Sequence, residues 1–121
     1  AALAIYRSDL VEEAAGDEPL AAEAQVLRGR LNQVLERLAL LREHLGDWHG
    51  CLQATLRHLA LDTCNERAHQ RAMRCYGHLG QPQLAERQYL RCVGALRDQL
   101  ALPPSDETVV LYRRIATRML N

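Results

Sequence analysis

Cys75 and His78 stand three residues apart, a spacing that sets both on one face of a helix. A thiol beside an imidazole can begin two chemistries. One is nucleophilic catalysis, which needs a third group to orient the base. The other is zinc binding, for which His44 is the nearest candidate as a third ligand. Neither is carried further by the chain. Cys51, Cys64, Cys75 and Cys92 include no CxxC pair, and no short paired spacing of His and Cys announces a metal site. A core cysteine beside a surface histidine accounts for Cys75 and His78. With no secretory signal in view, the four cysteines read as reduced packing thiols.

The remaining reactive types lead to the same expectation. The two serines are Ser8 and Ser105, and neither lies in a G-x-S-x-G turn. Ser105 has the place of a helix cap. Glu12-Glu13 and Asp106-Glu107 are adjacent in sequence and so point apart, which suits solvation or capping better than acid–base work. Gly77 and Gly80 end a helix and do not form a phosphate loop. No catalytic residue, metal or cofactor is expected. His44 and His78 hold equivalent places in two successive units, where a pH-sensitive contact competes with plain solvation.

The elements that carry these residues are helices. Among 121 residues, 48% are hydrophobic yet only 4% aromatic, and Phe is absent. A core must then come from Leu and Ala, both good helix formers. Leu45-Gly46-Asp47-Trp48 and Leu79-Gly80-Gln81-Pro82 recur at a distance of 34 residues, the TPR period. Each marks a turn between two amphipathic helices. The first stripe is Leu27, Leu31, Val34, Leu35, Leu38, Leu41 and Leu45, closed by Gly46. Asp47 caps the next helix, with Trp48, Leu52, Thr55, Leu56 and Leu59 on its stripe. The second unit runs through Ala68, Ala72, Cys75, Tyr76 and Leu79, then Ala85, Tyr89, Cys92, Val93, Leu96 and Leu100. Pro103-Pro104 stops it, and Ser105 opens a last helix striped by Thr108, Val109, Tyr112, Ile115, Ala116 and Met119.

The expected fold is therefore all-α, a TPR-like stack of antiparallel helix pairs with about five to seven helices. Residues 1–20 are assigned to an N-terminal helix and an acidic loop, the loop at 14–20. The first helix pair occupies 21–64, the second 65–102 and the C-terminal helix 105–120. The chain opens on Ala1 in what reads as the middle of a helical stretch, so it is expected to be a piece of a longer protein.

Charge narrows the function. Fifteen basic residues, all Arg, balance fifteen acidic ones. That balance argues against a general nucleic-acid surface. It is uneven, however: residues 1–27 hold Arg7 against six carboxylates, a net −5, leaving +5 for the rest. Besides plain solvation, this pattern suits an acidic flap that docks on the basic remainder or on a partner. No stretch has the length and apolarity of a membrane span, and a cytoplasmic location is expected.

Particular runs carry a family resemblance. They are Asn65-Glu66-Arg67-Ala68-His69, His78-Leu79-Gly80-Gln81-Pro82, Ala85-Glu86-Arg87-Gln88-Tyr89, Leu96-Arg97-Asp98-Gln99-Leu100, Pro104-Ser105-Asp106-Glu107-Thr108 and Leu111-Tyr112-Arg113-Arg114-Ile115. With the opening Ala4-Ile5-Tyr6-Arg7-Ser8-Asp9-Leu10, this succession resembles the bacterial transcriptional activator domain of SARP-type and related regulators. The chain departs from that family at Asp62-Thr63, where Asp-Pro is usual, and at Leu100-Ala101-Leu102-Pro103, where Leu-Gly is usual before the Pro-Ser element. The resemblance implies a non-catalytic regulatory domain that sits beside a winged-helix DNA-binding domain and does not itself read DNA. The implied partners are its own DNA-binding or sensor domain, a second copy, or RNA polymerase. A general TPR adaptor outside transcription, and a ligand- or metal-sensing helical module, are the alternatives.

By repeat position the concave face presents Gln33, Glu36, Leu40, Glu43 and His44 from one unit and Arg67, Gln70, Arg74 and His78 from the next. Such a mixed polar groove suits an extended or helical peptide, or is filled by the chain's own C-terminal helix or N-terminal segment. A homodimer through Tyr112, Ile115 and Met119 of the last helix is a further expectation.

Overall fold

A computed structural model describes residues 18–120 of the chain. Five helices lie in that range: α1 (Glu18–His44), α2 (Trp48–Leu61), α3 (Glu66–His78), α4 (Pro82–Leu100) and α5 (Asp106–Leu120). There is no strand among the described residues. Each helix packs on the next in sequence, and α5 turns back to touch α3 as well as α4. This is the expected all-α, TPR-like stack. The expected helix over the first residues lies outside the described range. Helix α1 already begins at Glu18, so the last three positions of the expected 14–20 loop are helical. Pro19 falls in that first turn, where a missing N–H costs nothing.

The two glycine turns are built alike. Gly46 and Gly80 have φ of 74° and 71°, the left-handed region open to glycine at no steric cost. After each, the next residue reaches back to close the helix: Asp47 N–H donates to Arg42 O at 2.8 Å, and Gln81 N–H to Tyr76 O at 2.9 Å. Gly46 N–H to Glu43 O and Gly80 N–H to Gly77 O complete two Schellman motifs one repeat apart. Asp47 then caps α2 by accepting from Gly50 N–H at 2.9 Å, and Asn65 caps α3 by accepting from Ala68 N–H at 3.0 Å. Helix α4 ends differently. Ala101 occupies the left-handed conformation with φ 53°.

The core is small-sided, as the composition dictates. Ala39, Cys51, Leu52, Ala54, Leu59, Ala68, Ala72 and Cys75 form one buried cluster. Small residues at Cys51, Ala68, Ala72 and Ala85, all fully buried, bring the helix axes close. The stripe read for α1 needs correction. Leu31, Leu35 and Ala39 face inward with Ala24, whereas Val34, Leu41 and Leu45 are exposed, Leu45 by 71%. Among the described residues helix α1 packs chiefly on α2, so one narrow face suffices: Leu38 joins it at the edge of the core, while Val34, Leu41 and Leu45 stay in solvent. Leu100 is likewise exposed at the free end of α4.

Helix α3 is the opposite case. It lies against α2, α4 and α5, and is buried on most of its circumference. His69, Arg71 and Met73 are inside together with Ala68, Ala72 and Cys75.

Candidate functional site

The concave-face residues fall into three groups. Gln33, Leu40, His44 and Arg67 are exposed, and Glu36 is half-buried. Glu43 and Arg74 join α1 to α3. The guanidinium donates through Nε at 2.9 Å and Nη2 at 3.2 Å to the two carboxylate oxygens, the bidentate geometry that fixes orientation as well as distance. Gln70 is taken by the C-terminal helix, its amide donating to Thr108 Oγ1 at 2.9 Å. The second unit's share of the groove is thus partly filled from within the chain.

His78 stacks on the Trp48 indole, with centroids 3.8 Å apart and planes within 4°. This holds the C-terminal end of α3 against the start of α2. The ring is spent on Trp48, while Cys75 sits buried beside Cys51. Burial, reinforced by the neighbouring Cys51, drives the Cys75 thiol far above its ordinary range, and burial pushes Cys92 up to about 12. Thiols held protonated in this way are poor nucleophiles and poor metal ligands. All four cysteines are free, and Cys64 alone is partly exposed. Among the described residues no group of three His, Cys, Asp or Glu could hold a metal ion.

Tyr112 and Ile115, read as a self-association surface, turn inward. Tyr112 stacks on Tyr89 with centroids 4.3 Å apart. Ile115 rests on Gly77, where an added Cβ would lie 3.5 Å from its Cγ1. Both dock α5 on its own chain, and the side chain of Met119 lies outside the described ones. Between α3 and α5 a cleft remains, floored by Gly77, Leu111 and Ile115 and rimmed by Arg74, His78, Arg114 and Arg118. A shallower hollow beside it shares Arg114 and Arg118 and adds Val110, Arg113 and Thr117. Among the described residues no carboxylate lines either.

Two buried polar groups escaped the sequence reading. His69 accepts at Nδ1 from the Gln88 amide at 2.8 Å and donates from Nε2 to Thr63 O at 2.8 Å, which fixes a neutral tautomer. Arg71 is 4% exposed, and its Nε and Nη1 have no hydrogen-bond partner among the described residues; nor do the buried Asn32 Oδ1 and His58 Nδ1. Burial lowers the pKa of both His58 and His69, against the raising effect of Asp62 on the first and of the Thr63 carbonyl on the second. A count of the helices packed on α3 would have found His69 and Arg71. Hydrophobic periodicity could not, since it scores His and Arg as surface residues.

A family model of the bacterial transcriptional activator domain matches residues 1–116, nearly the whole chain. The chain belongs to that family. No curated protein and no solved structure gives a significant match. Membership associates this activator domain with transcription regulation, which a general TPR adaptor does not share. Its helices agree with what the family motifs imply: Pro104-Ser105 precedes α5, and Tyr112 and Ile115 lie on the α5 side that meets α4 and α3. No helix of the described residues is long and apolar enough to cross a membrane.

Proposed function

We propose that this domain is a non-catalytic interaction module of a cytoplasmic bacterial transcription regulator, and that it passes a signal by docking on protein. The observation that carries this reading is family membership over residues 1–116. The geometry supports it. The reactive side chains are occupied: Cys75 is buried, His78 is stacked, Glu43 is paired and Ser105 is bonded to Glu66. What the fold offers outward is a mixed surface: Gln33, Leu40, His44 and Arg67 on the concave side, and the arginine-rimmed cleft beside α5. The partner is the regulator's own DNA-binding or sensor domain, a second copy, or the polymerase.

The test is made in the natural regulator that carries this domain. Gln33→Lys and Arg67→Glu together change the exposed groove without touching a buried contact. Reporter transcription is expected to fall about fivefold or more, the size of an ordinary coupling free energy, while DNA affinity stays level. Unchanged transcription from the folded variant would refute the docking reading.

A further inference from the structure

We propose that copies of this chain associate head to tail, the acidic segment around Glu12, Glu13 and Asp17 of one copy seating in the α3–α5 cleft of the next. The inference deepens the self-association part of the function proposed above, and rests on it.

The cleft has the chemistry for such a segment. Arg114 and Arg118 are exposed on its rim and have no ion-pair partner among the described residues; the apolar floor of Leu111 and Ile115 lies between them and Arg74. The sequence holds one strongly complementary segment. Residues 9–18 contain Asp9, Glu12, Glu13, Asp17 and Glu18 and no basic residue, with the apolar pair Leu10-Val11 between carboxylates. An apolar pair flanked by acids matches an apolar floor flanked by arginines. A duplex nucleic acid would use the arginines and leave the floor unused.

Chain geometry sends the contact to a second copy. Helix α1 starts at Glu18, and its far end holds Glu43, which is bonded to Arg74 of the cleft. At 1.5 Å per residue those ends are about 37 Å apart. Glu12 lies six residues before α1 and reaches about 20 Å from it when fully extended. Glu13 and Asp17 reach less. The cleft lies at the far end of α1 from Glu18, beyond the reach of these carboxylates, so each copy offers a donor end and an acceptor end. Such a heterologous contact does not close on itself after two copies.

Light scattering on the 121-residue chain tests this. The weight-average mass is expected to rise with concentration past twice the 13.7 kDa of one chain. Raising the salt from about 0.05 M to about 0.5 M should weaken the association about tenfold, because the contact is between exposed charges. Arg114→Glu with Arg118→Glu should hold the chain at monomer mass, as should Glu12→Arg with Glu13→Arg and Asp17→Arg. Mixing the two variants should restore association. Circular dichroism and melting confirm that each variant is folded. A constant monomer mass for the wild-type chain overturns the proposal, and so does a mass that stops at the dimer or a mixture that stays monomeric. A changed reporter signal with a monomeric domain would sink this inference alone and leave the docking function standing.

Discussion

Glu66, the first residue of α3, accepts hydrogen bonds from both the backbone N–H and the hydroxyl of Ser105, at 2.8 Å and 2.6 Å, across 39 positions of sequence. Thr108 Oγ1 donates to the same carboxylate. One side chain at the start of α3 thus satisfies the start of α5, where free N–H groups would otherwise be left unpaired. This clasp, with Gln70 on Thr108, fixes the near end of α5, and Ile115 on Gly77 fixes its far part.

Replacing Glu66 by Ala should loosen α5 first. The loss is expected to be about 2 kcal/mol, the scale of hydrogen bonds to a charged group. Hydrogen exchange would show it as faster exchange in α5 than in α2. Equal acceleration throughout would mean that α5 is no separate unit.

Acid should act on the same clasp. Burial raises the Glu66 pKa, but the hydrogen bonds from Ser105 and Thr108 outweigh it and hold the carboxyl below its ordinary value. A group depressed in the folded state stabilises above its unfolded pKa, and that stability is lost as pH falls below about 4.5. His58 and His69 act at higher pH. Both are lowered by burial, so the unfolded chain takes up protons first, and stability should begin to fall as pH drops below about 6.5. Urea unfolding at pH 7.5, 5.5 and 4 should give two separate losses. His69→Gln should remove part of the first and leave the second.

Ala101→Gly should stabilise the protein. Ala101 is the one described non-glycine residue with positive φ, and it adopts the left-handed conformation that costs an L-residue about 1–2 kcal/mol. Glycine returns part of that as unfolded-chain entropy, leaving a gain of about 0.5–1 kcal/mol. A rise in the melting temperature checks it. The same substitution at Ala54, inside α2 and buried, should lower it.

The thiols should react in order. Cys64 is partly exposed and donates to Gln99 Oε1 at 3.1 Å; Cys51, Cys75 and Cys92 are fully buried. A thiol reagent should label one cysteine per folded chain quickly, and the other three only as fast as the chain opens.

The fold was open to reading because its punctuation is local. Two glycine turns at the repeat distance, a capping Asp47 and the Pro103-Pro104 stop each act within a few residues. What lay hidden is set by packing partners. Val34 and Leu41 look like core on a helical wheel, yet among the described residues α1 packs chiefly on α2 and leaves them outside. His69 and Arg71 look like surface, yet α3 has three neighbours and takes them in. Tyr112 and Ile115 were rightly picked as an apolar face, but periodicity cannot say whether such a face meets its own chain or another. For that reason Ile115→Glu should strike the contact with Gly77 and unseat α5, whatever the state of assembly.

The shared position of α3 has a mechanical consequence. It is gripped at one end by Ser105 and at the other by Glu43 and Trp48, so it behaves as a crossbar between the two ends of the described chain. A pull on α5 loads α3 through Glu66 and Gln70, and α4 through Tyr89, and α3 hands its share to α1 through the Arg74 fork. In this layout strain entering at α5 has a side-chain route to the far end of α1.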